Sequence, residues 1–211
     1  MKDTIGNCLL LGVTGGIGSG KTVVSVILGD MGAKTIDFDI LAREVVEPEK
    51  PAWKAVVDYF GDQILMKDNT LDRKKLSNIV FNDVKKRKKL ENITHPGIGE
   101  EFGKRVEEIT KKDPEAIIQA VVPLLIEGSM QSMFHKLLVV HVPTEIQIER
   151  LVARDKISRD QAINILSSQL PIDEKVKFAD YVIRNDRSLE KTRAQVEELW
   201  EILKTLQKEK K

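Results

Sequence analysis

One glycine-rich stretch constrains this chain of 211 residues more than any other feature. It reads Gly15-Gly16-Ile17-Gly18-Ser19-Gly20-Lys21-Thr22, which fits the pattern of a glycine, four residues and then Gly-Lys-Ser/Thr. That pattern is typical of a loop that cradles phosphates, because glycine turns successive backbone amides toward one anion and carries no side chain to hold it off. The cation of Lys21 is expected at the β- and γ-phosphates, and the Thr22 hydroxyl is expected to be a ligand of Mg²⁺.

The segments on both sides of this loop have the character that a phosphate-binding loop requires. Residues 8–13 form a short apolar run that suits a buried parallel strand. Residues 22–31 carry apolar side chains at helical spacing, and a helix that begins there adds its positive end to the site. A flexible Gly/Ser turn that binds nothing is the alternative, but these flanks favour a nucleotide-binding loop.

Composition narrows the class of protein. The chain is 41% hydrophobic and 32% charged, and its formal net charge of +1 provides no overall field toward nucleic acid or membrane. Its one cysteine, Cys8, cannot form a disulfide within the chain, which favours a reducing compartment. The first apolar run is too short for a signal peptide, and no run reaches the length of a membrane span. We expect a cytoplasmic monomer or weak homo-oligomer without nucleic-acid or membrane partners.

Apolar runs alternate with helical patterns along the rest of the chain. Further strands are predicted at 33–36, 116–122, 137–142 and 181–183. The pattern is helical from Trp53 to about Lys112, a capping box of Thr144 and Gln147 predicts another helix start, and a long helix follows Ser188. We predict an α/β fold, a parallel sheet of the P-loop NTPase type flanked by helices. One P-loop kinase domain over 1–211 would have its core at about 1–47 and 114–211, a helical acceptor-binding lobe at about 48–113 and a lid at about 150–175 within the core.

Two carboxylates follow the second predicted strand. Asp37 and Asp39 are separated by one residue, and alternate residues of an extended segment point to the same side. Because ligands of open α/β sheets bind at the carboxyl ends of strands, both side chains are expected to face the γ-phosphate. One can orient an acceptor hydroxyl and take its proton while the other holds Mg²⁺ through water, which suits phosphoryl transfer. Two solvated acids that cap the following helix are the alternative.

Three arginines, Arg150, Arg154 and Arg159, lie around a polar turn late in the chain. They suit a lid that closes over the phosphates and excludes water, and a solvated basic face is the alternative. Markers of other nucleotide-binding classes are missing from the sequence. It has no Asn-Lys-x-Asp for guanine recognition, and predicted strands 116–122 and 137–142 contain no acid in the Walker-B position. Asp37 or Asp39 is therefore the expected second partner of the metal.

Several short blocks beyond the loop recur in a recognisable order. They are Ile36-Asp37-Phe38-Asp39-Ile40-Leu41-Ala42-Arg43, Val45-Val46 with Pro48, His95-Pro96, Pro123-Leu124-Leu125-Ile126-Glu127, and a late segment with Arg150, Arg154-Asp155, Gln169, Lys175, Ala179-Asp180-Tyr181-Val182-Ile183 and Asn185. Together with the loop, these blocks resemble the dephospho-CoA kinase family nearly from end to end. The resemblance implies transfer of the γ-phosphate of ATP, with Mg²⁺, to the ribose 3′-hydroxyl of dephospho-CoA, the last step of coenzyme A synthesis.

The resemblance also implies roles for individual residues. Asp39 is expected as the general base, Lys21 and Arg154 as further catalytic residues, and Asp37 as support for the acceptor or the metal. Contacts to ATP are expected from Gly15, Gly16, Ile17, Gly18, Ser19, Gly20, Lys21, Thr22, Val23, Arg150 and Asn185, the last of these near the adenine. Contacts to the acceptor are expected from Asp37, Arg43, His95, Pro123, Leu124 and Glu127. Val23 stands where the family usually has a hydroxyl near the α-phosphate.

Some of these residues have a plain structural interpretation. Pro96 biases His95 toward an extended, non-helical backbone, and a lone histidine is more often a structural hydrogen-bonding group than a catalyst. Glu127 can orient the acceptor or lie at a helix N-terminus. The charge run at 85–89 is typical of a solvated helix surface. Another P-loop small-molecule or nucleoside kinase, or a nucleotide-dependent switch, is the alternative function, although a switch has no need of the acidic pair.

Overall fold

The computed structural model of the chain describes residues 7–81 and 83–210. Its strands are β1 (Leu9–Gly15), β2 (Lys34–Asp37), β3 (Ile117–Val121), β4 (Lys136–His141) and β5 (Tyr181–Arg184). Its α-helices are α1 (Lys21–Asp30), α2 (Phe38–Glu44), α3 (Pro51–Phe60), α4 (Arg73–Phe81), α5 (Val84–Lys112), α6 (Thr144–Asp155), α7 (Arg159–Ser167), α8 (Ile172–Val176) and α9 (Leu189–Glu209). The predicted P-loop α/β fold, with a parallel sheet flanked by helices, is confirmed.

The five strands form one sheet in the order β2-β3-β1-β4-β5, and every pairing is parallel. β1 lies at the centre, and all seven of its residues are buried. Burial on both faces explains why this strand is a nearly continuous apolar run and does not alternate. Because the strands are parallel, the residues that follow β1, β2 and β3 all leave the sheet at the same edge.

The chain forms two compact units. The first contains the described residues up to Asp37 and those from Val106 onward, and it holds the whole sheet. One apolar cluster in this unit joins alternate residues of β1 to one face each of α1 and α9. The members from these three elements are Leu9, Leu11, Val13, Val24, Ile27, Leu28, Val196, Leu199 and Leu203. Residues two apart in a strand, or three to four apart in a helix, lie on the same face, so the cluster members of each element form one apolar face.

The second unit spans Phe38–Arg105 and has an apolar cluster of its own. Val56 and Phe60 of α3 and Leu76 of α4 are buried in this cluster, and residues of α5 pack against it. Arg105 carries two ion pairs within the unit, to Glu44 over 2.9 Å and to Glu101 over 3.2 Å. As predicted, the described part of this stretch contains helices and no strand longer than an isolated bridge.

Two local predictions are wrong. α6 begins at Thr144 as expected, but no side-chain capping bond is present at its start in the described structure. Gln147 is 3% exposed and donates to the Val142 carbonyl over 3.1 Å, so its amide is not available to the helix terminus. The capping box is at α7, where Ser158 and Gln161 bond each other's backbone.

The second wrong prediction concerns His95. Pro96 lies inside α5, so His95 is helical and exposed and does not adopt an extended backbone. The preference of a residue before proline is local and costs only a few kcal/mol. Apolar contacts on both sides of the proline, from Leu90 and Ile93 before it and Ile98 after it, hold the helix together. None of the helices in the described part of the chain is long and apolar enough to cross a membrane.

Candidate active site

The glycine-rich loop joins the end of β1 at Gly15 to the start of α1 at Lys21, as the sequence predicts. Gly18 and Gly20 have φ angles of 74° and 85°, in the left-handed region that favours glycine. The Val23 and Val24 amides donate back to the Gly20 carbonyl, which starts the helix immediately after the loop. The positive end of α1 and the turned amides of the loop therefore lie together, as phosphate binding requires.

Neighbouring groups approach the loop so closely that side chains would not fit. A Cβ atom on Gly15 would lie 2.5 Å from the carbonyl oxygen of Val140. A Cβ on Gly16 would meet the Oε1 atom of Gln147, and a Cβ on Gly20 would meet the amide of Asn185. Packing from behind the loop thus excludes a side chain at Gly15, where the neighbour is backbone, and crowds one at Gly16 and Gly20, where the neighbours are side chains.

Lys21 is held against the loop that precedes it. Its Nζ atom donates to the carbonyl oxygens of Gly15 over 3.1 Å and Gly16 over 3.0 Å. These bonds satisfy part of the ammonium group and keep its charge beside the loop amides. A point charge in this position is suited to the terminal phosphates of a nucleotide.

The polar side chains of the loop fit a phosphate and its metal. The Ser19 hydroxyl is fully buried and has no hydrogen-bond partner in the described structure, although its backbone amide donates to Gly16 over 3.2 Å. Thr22, in the first turn of α1, is exposed. The described residues contain no cluster of three or more histidine, cysteine or acidic groups that could hold a metal ion.

Asn185 lies behind the loop and is 7% exposed. Its side-chain nitrogen donates to the Ser19 carbonyl over 2.9 Å, and its side-chain oxygen accepts from the Thr192 hydroxyl over 2.9 Å. The amide therefore bonds the loop backbone and α9. Contact with the adenine stays a prediction, whereas the contact with Ser19 and the part played by Thr192 were missed because no local pattern joins positions so far apart.

Arg150 connects three parts of this site. Its guanidinium donates to the Gly18 carbonyl over 3.2 Å and to the Asn185 carbonyl over 2.8 Å, and Arg150 itself belongs to α6. Gln147, three residues earlier on the same helix, is the residue beside Gly16. One face of α6 thus packs on the phosphate loop, and the positive charge of Arg150 lies next to it.

The other two arginines of the predicted lid form ion pairs at the surface. Arg154 makes two bonds to Asp155, over 2.7 and 2.9 Å, and Arg159 makes two bonds to Glu145, over 2.5 and 2.8 Å. The hydrogen bond that Arg154 donates to Asp155 raises the pKa of Arg154, and the one that Arg159 donates to Glu145 raises the pKa of Arg159. The structure therefore brings Arg150 to the loop and leaves these two with acidic partners. The catalytic role of Arg154 stays a prediction.

A buried polar network follows β3. The Pro123 carbonyl accepts from the Thr14 hydroxyl over 3.2 Å and from the Nζ atom of Lys175 over 3.3 Å. The Lys175 side chain is completely buried and pairs with Glu127 over 2.8 Å. Glu127 lies in a turn and not at a helix start, and its carboxylate also accepts from the Leu170 amide over 3.0 Å. These bonds join the end of β3 to α8 and to the residues before it.

The same segment before α8 also bonds the phosphate loop. The side-chain oxygen of Gln169 accepts from the Ile17 amide over 3.2 Å. Ile17 packs against the apolar cluster that contains Leu151 of α6 and Ala162 of α7. Gln169 and Lys175 belong to the blocks that carry the family resemblance, but the sequence analysis gave them no role. Their pairing with Ile17 and Glu127 depends on the tertiary structure.

Asp37 is the last residue of β2 and is half-buried. Its register partner is Val121 of β3, which is also the partner of Val13 of β1. Two strand spacings therefore separate Asp37 from Val13, a distance of roughly 10 Å. Asp37 thus ends its strand at the level of Val13, two residues before β1 ends at Gly15, and at the same edge of the sheet as the phosphate loop.

Asp39 does not continue the strand. α2 begins at Phe38, so Asp39 lies in the first turn of a helix and is exposed. The premise that Asp37 and Asp39 alternate along one extended segment is therefore wrong, because the backbone changes conformation between them. Arg43 is in the last turn of α2, His95 is on the exposed surface of α5, and Leu124 is 49% exposed after β3.

The family model for dephospho-CoA kinase matches residues 9–191. The chain belongs to the dephospho-CoA kinase family. Two dephospho-CoA kinases similar to it are those of Syntrophus aciditrophicus, 42% identical over 92% of this chain and 83% of the relative, and of Carboxydothermus hydrogenoformans, 44% identical over 89% and 90%. A crystal structure of a Thermus thermophilus protein matches with a TM-score of 0.76 and 31% identity over 92% of this chain and 97% of the other. The dephospho-CoA kinase of Campylobacter jejuni matches with a TM-score of 0.71 and 29% identity over 94% and 98%.

The match to the dephospho-CoA kinase family includes every residue singled out in the sequence as a candidate for the site, from Gly15 to Asn185. As a member of this family of P-loop kinases, the chain uses ATP. The resemblance noted in the sequence is thus confirmed.

Proposed function

We propose that this chain transfers the γ-phosphoryl group of ATP to the ribose 3′-hydroxyl of dephospho-CoA, giving coenzyme A and ADP. The observation that carries the proposal is the family match over residues 9–191, which includes a phosphate loop with Lys21 held against its backbone. The described geometry supports the donor half of the reaction most directly, and the acceptor half is supported by the family.

The phosphate loop binds the donor in this proposal. Backbone amides of residues 15–20 and the Lys21 ammonium bind the phosphates, and Arg150 adds a second cation beside Gly18. Thr22 and Asp37 would hold Mg²⁺, which when bound neutralises charge on the β- and γ-phosphates. Because the loop is fixed from behind by Asn185 and Gln147, it needs little reorganisation as charge develops.

Asp39 acts as the general base. Its carboxylate takes the proton of the 3′-hydroxyl while that oxygen bonds to the γ-phosphorus, and the bond from this phosphorus to the β,γ-bridging oxygen breaks to release ADP.

Arg154 forms an exposed ion pair with Asp155. In this proposal Arg154 leaves Asp155 and binds the donor phosphates. Arg43, His95, Pro123, Leu124 and Glu127 are proposed to bind the acceptor, with Glu127 positioned by Lys175.

The test is to identify the product formed from ATP, Mg²⁺ and dephospho-CoA by mass spectrometry, and to locate the new phosphate by ³¹P NMR. We expect a gain of one phosphoryl group on the 3′-oxygen and an equal amount of ADP. Nucleosides and other small alcohols in the same assay serve as competing acceptors, and the Lys21→Ala variant serves as the inactive control. Faster turnover of a nucleoside than of dephospho-CoA would replace this proposal with a nucleoside kinase. Slow ATP hydrolysis that no acceptor stimulates would indicate a nucleotide-dependent switch.

A further inference from the structure

The peptide group between Gly16 and Ile17 is hydrogen-bonded on both sides. Its N–H, which belongs to Ile17, donates to the side-chain oxygen of Gln169 over 3.2 Å. Its carbonyl, which belongs to Gly16, accepts from the Nζ atom of Lys21 over 3.0 Å and from the Ser19 amide over 3.2 Å. Gln169 therefore fixes the direction of a peptide group whose opposite side holds the cation of the phosphate loop.

The residue after Gln169 makes a bond to a different part of the site. The Leu170 amide donates to the carboxylate of Glu127 over 3.0 Å, in the turn that follows β3. Two consecutive residues thus join the phosphate loop to Glu127, the first through its side chain and the second through its backbone. Because consecutive Cα atoms are only about 3.8 Å apart, this link is short and contains few rotatable bonds.

A second set of bonds closes the link into a ring. Lys175 is completely buried and donates to the Glu127 carboxylate over 2.8 Å and to the Pro123 carbonyl over 3.3 Å. The Pro123 carbonyl also accepts from the hydroxyl of Thr14, which directly precedes the glycine-rich loop, over 3.2 Å. The bonds therefore leave the loop and return to the strand that leads into it. Polar groups in a satisfied network of this kind are held more rigidly than groups bonded at one point.

We propose that Gln169 is a positioning residue for phosphoryl transfer and that, together with Leu170, it holds Lys21 and Glu127 at a fixed separation. The inference rests on the proposed function, in which Lys21 stabilises the donor phosphates and Glu127 binds the acceptor. Fixing these two groups relative to each other holds the reacting oxygen and phosphorus in place before the reaction, which lowers the entropic part of the barrier. Gln169 acts here through the peptide group after Gly16 and contacts neither substrate.

Gln169→Met tests this role, because it keeps the length of the side chain and removes the acceptor oxygen. Gln169 is half-buried and lines a cavity of about 250 Å³ beside the loop, so the terminal methyl group has room. We expect kcat with dephospho-CoA to fall about tenfold, while the Kd for ATP and the KM for dephospho-CoA change by less than about threefold. Gln169→Glu keeps an acceptor oxygen in the same place and should keep kcat within about threefold of the wild type.

Ser168→Ala is the matched control, because it changes the preceding residue, which is exposed and whose hydroxyl donates back to Ile165 of α7 over 2.6 Å. It should leave kcat unchanged. An equal fall in kcat for Ser168→Ala and Gln169→Met would show that any change in this segment slows turnover, and it would overturn the inference. A Gln169→Met enzyme with the kcat of the wild type, or with a loss confined to ATP binding, would overturn it as well.

A second comparison separates a shared link from two independent roles. The double variant Lys175→Met with Glu127→Leu removes the far end of the link without leaving a buried charge unpaired. If the link acts as one unit, Gln169→Met should lower the kcat of this double variant by less than about twofold, against about tenfold in the wild type. The full loss in both backgrounds would mean that Gln169 acts on the loop alone.

Amide hydrogen exchange measured by NMR tests the link without turnover. In Gln169→Met the Ile17 amide loses its acceptor and should exchange up to about tenfold faster, and the Leu170 amide should exchange faster with it. In Lys175→Met with Glu127→Leu the Leu170 amide loses its acceptor, and Ile17 should follow. Faster exchange confined to the amide that lost its acceptor would overturn the inference. Coupled exchange without any acceptor-dependent product would instead contradict the proposed function and leave the link standing.

Discussion

The side-chain nitrogen of Asn185 donates to the backbone oxygen of Ser19 over 2.9 Å, although the two residues are 166 positions apart in the sequence. Asn185 directly follows β5, and Ser19 lies in the phosphate loop that follows β1. Thr192 of α9 completes the chain of bonds by donating to the Asn185 oxygen. The loop is thus held in place by the last strand and the last helix of the chain.

Replacing Asn185 by alanine should therefore loosen the loop. The Ser19 carbonyl and the Thr192 hydroxyl both lose a buried partner, which should lower the free energy of unfolding by about 1–3 kcal/mol and raise the KM for ATP several-fold. Urea unfolding and steady-state kinetics measure the two effects. Asn164→Ala, at an exposed position of α7, is the control and should change neither. An Asn185→Ala protein with wild-type stability would show that this bond does not support the loop.

The role proposed for Asp39 predicts a separation between catalysis and binding. Asp39→Asn keeps the shape of the side chain but cannot accept the hydroxyl proton, so kcat should fall by about 10²–10⁴ while the Kd for ATP changes by less than about twofold. Asp37→Asn should instead raise the Mg²⁺ concentration needed for half-maximal rate. Turnover assays and ATP-binding titrations, each at several Mg²⁺ concentrations, measure these quantities. Weakened ATP binding with an unchanged rate at saturation would make Asp39 a metal-site residue.

Replacing one member of the buried Lys175–Glu127 pair should change the free energy of unfolding differently from replacing both members. Lys175→Met leaves the Glu127 carboxylate without its cation and should lower the free energy of unfolding by about 3 kcal/mol, near the low end for buried pairs because the Glu127 side chain is 22% exposed. The double variant Lys175→Met with Glu127→Leu should regain much of that stability. The KM of the double variant for dephospho-CoA should nevertheless be higher than that of the wild type if Glu127 positions the acceptor.

Lys177→Met is the control for this pair. Lys177 directly follows α8 and is exposed, and among the described residues its side chain bonds only Glu174. Chemical unfolding and acceptor kinetics of the three variants complete the comparison. A double variant as unstable as Lys175→Met would mean that lost packing, and not the unpaired carboxylate, causes the destabilisation.

Cys8 provides a prediction that depends on pH. Burial raises the pKa of its thiol, only partly offset by the positive charge of Lys210. The folded chain therefore keeps this proton to a higher pH than the unfolded chain does, so stability from this group is complete below the unfolded pKa and is lost as the pH rises toward the folded one. Unfolding free energies measured between about pH 8 and pH 10 should fall more steeply for the wild type than for Cys8→Ala. Equal slopes would contradict the raised pKa.

Several features could be predicted because they depend on residues close together in the sequence. The phosphate loop is specified by glycines within one turn, and its flanking strand and helix are specified by short apolar patterns. The predicted strands are all found within one or two residues of their expected ends, since buried parallel strands are continuous apolar runs. Arg150 was predicted as a lid residue that contacts ATP from its place in a recognisable block, and the structure puts its guanidinium on the Gly18 carbonyl.

Other features could not be predicted because opposing local and long-range preferences decide them. Pro96 disfavours a helix at His95, yet apolar packing on both sides continues α5 through it. Gln147 has the spacing of a capping residue, yet burial against Val142 and the loop directs its amide elsewhere. The chain turns into a helix at Phe38, and this removes the alternation assumed for Asp37 and Asp39.

The amino-acid sequence by itself determined the phosphate loop, the parallel α/β sheet and membership of a kinase family, because each of these is written in short segments of defined residue type. Only the tertiary structure decided that Asn185 and Gln169 bond the loop and that Lys175 pairs with Glu127. These pairings join segments that are distant along the chain. Their geometry exists only after the strands and helices have packed, so no local pattern encodes it.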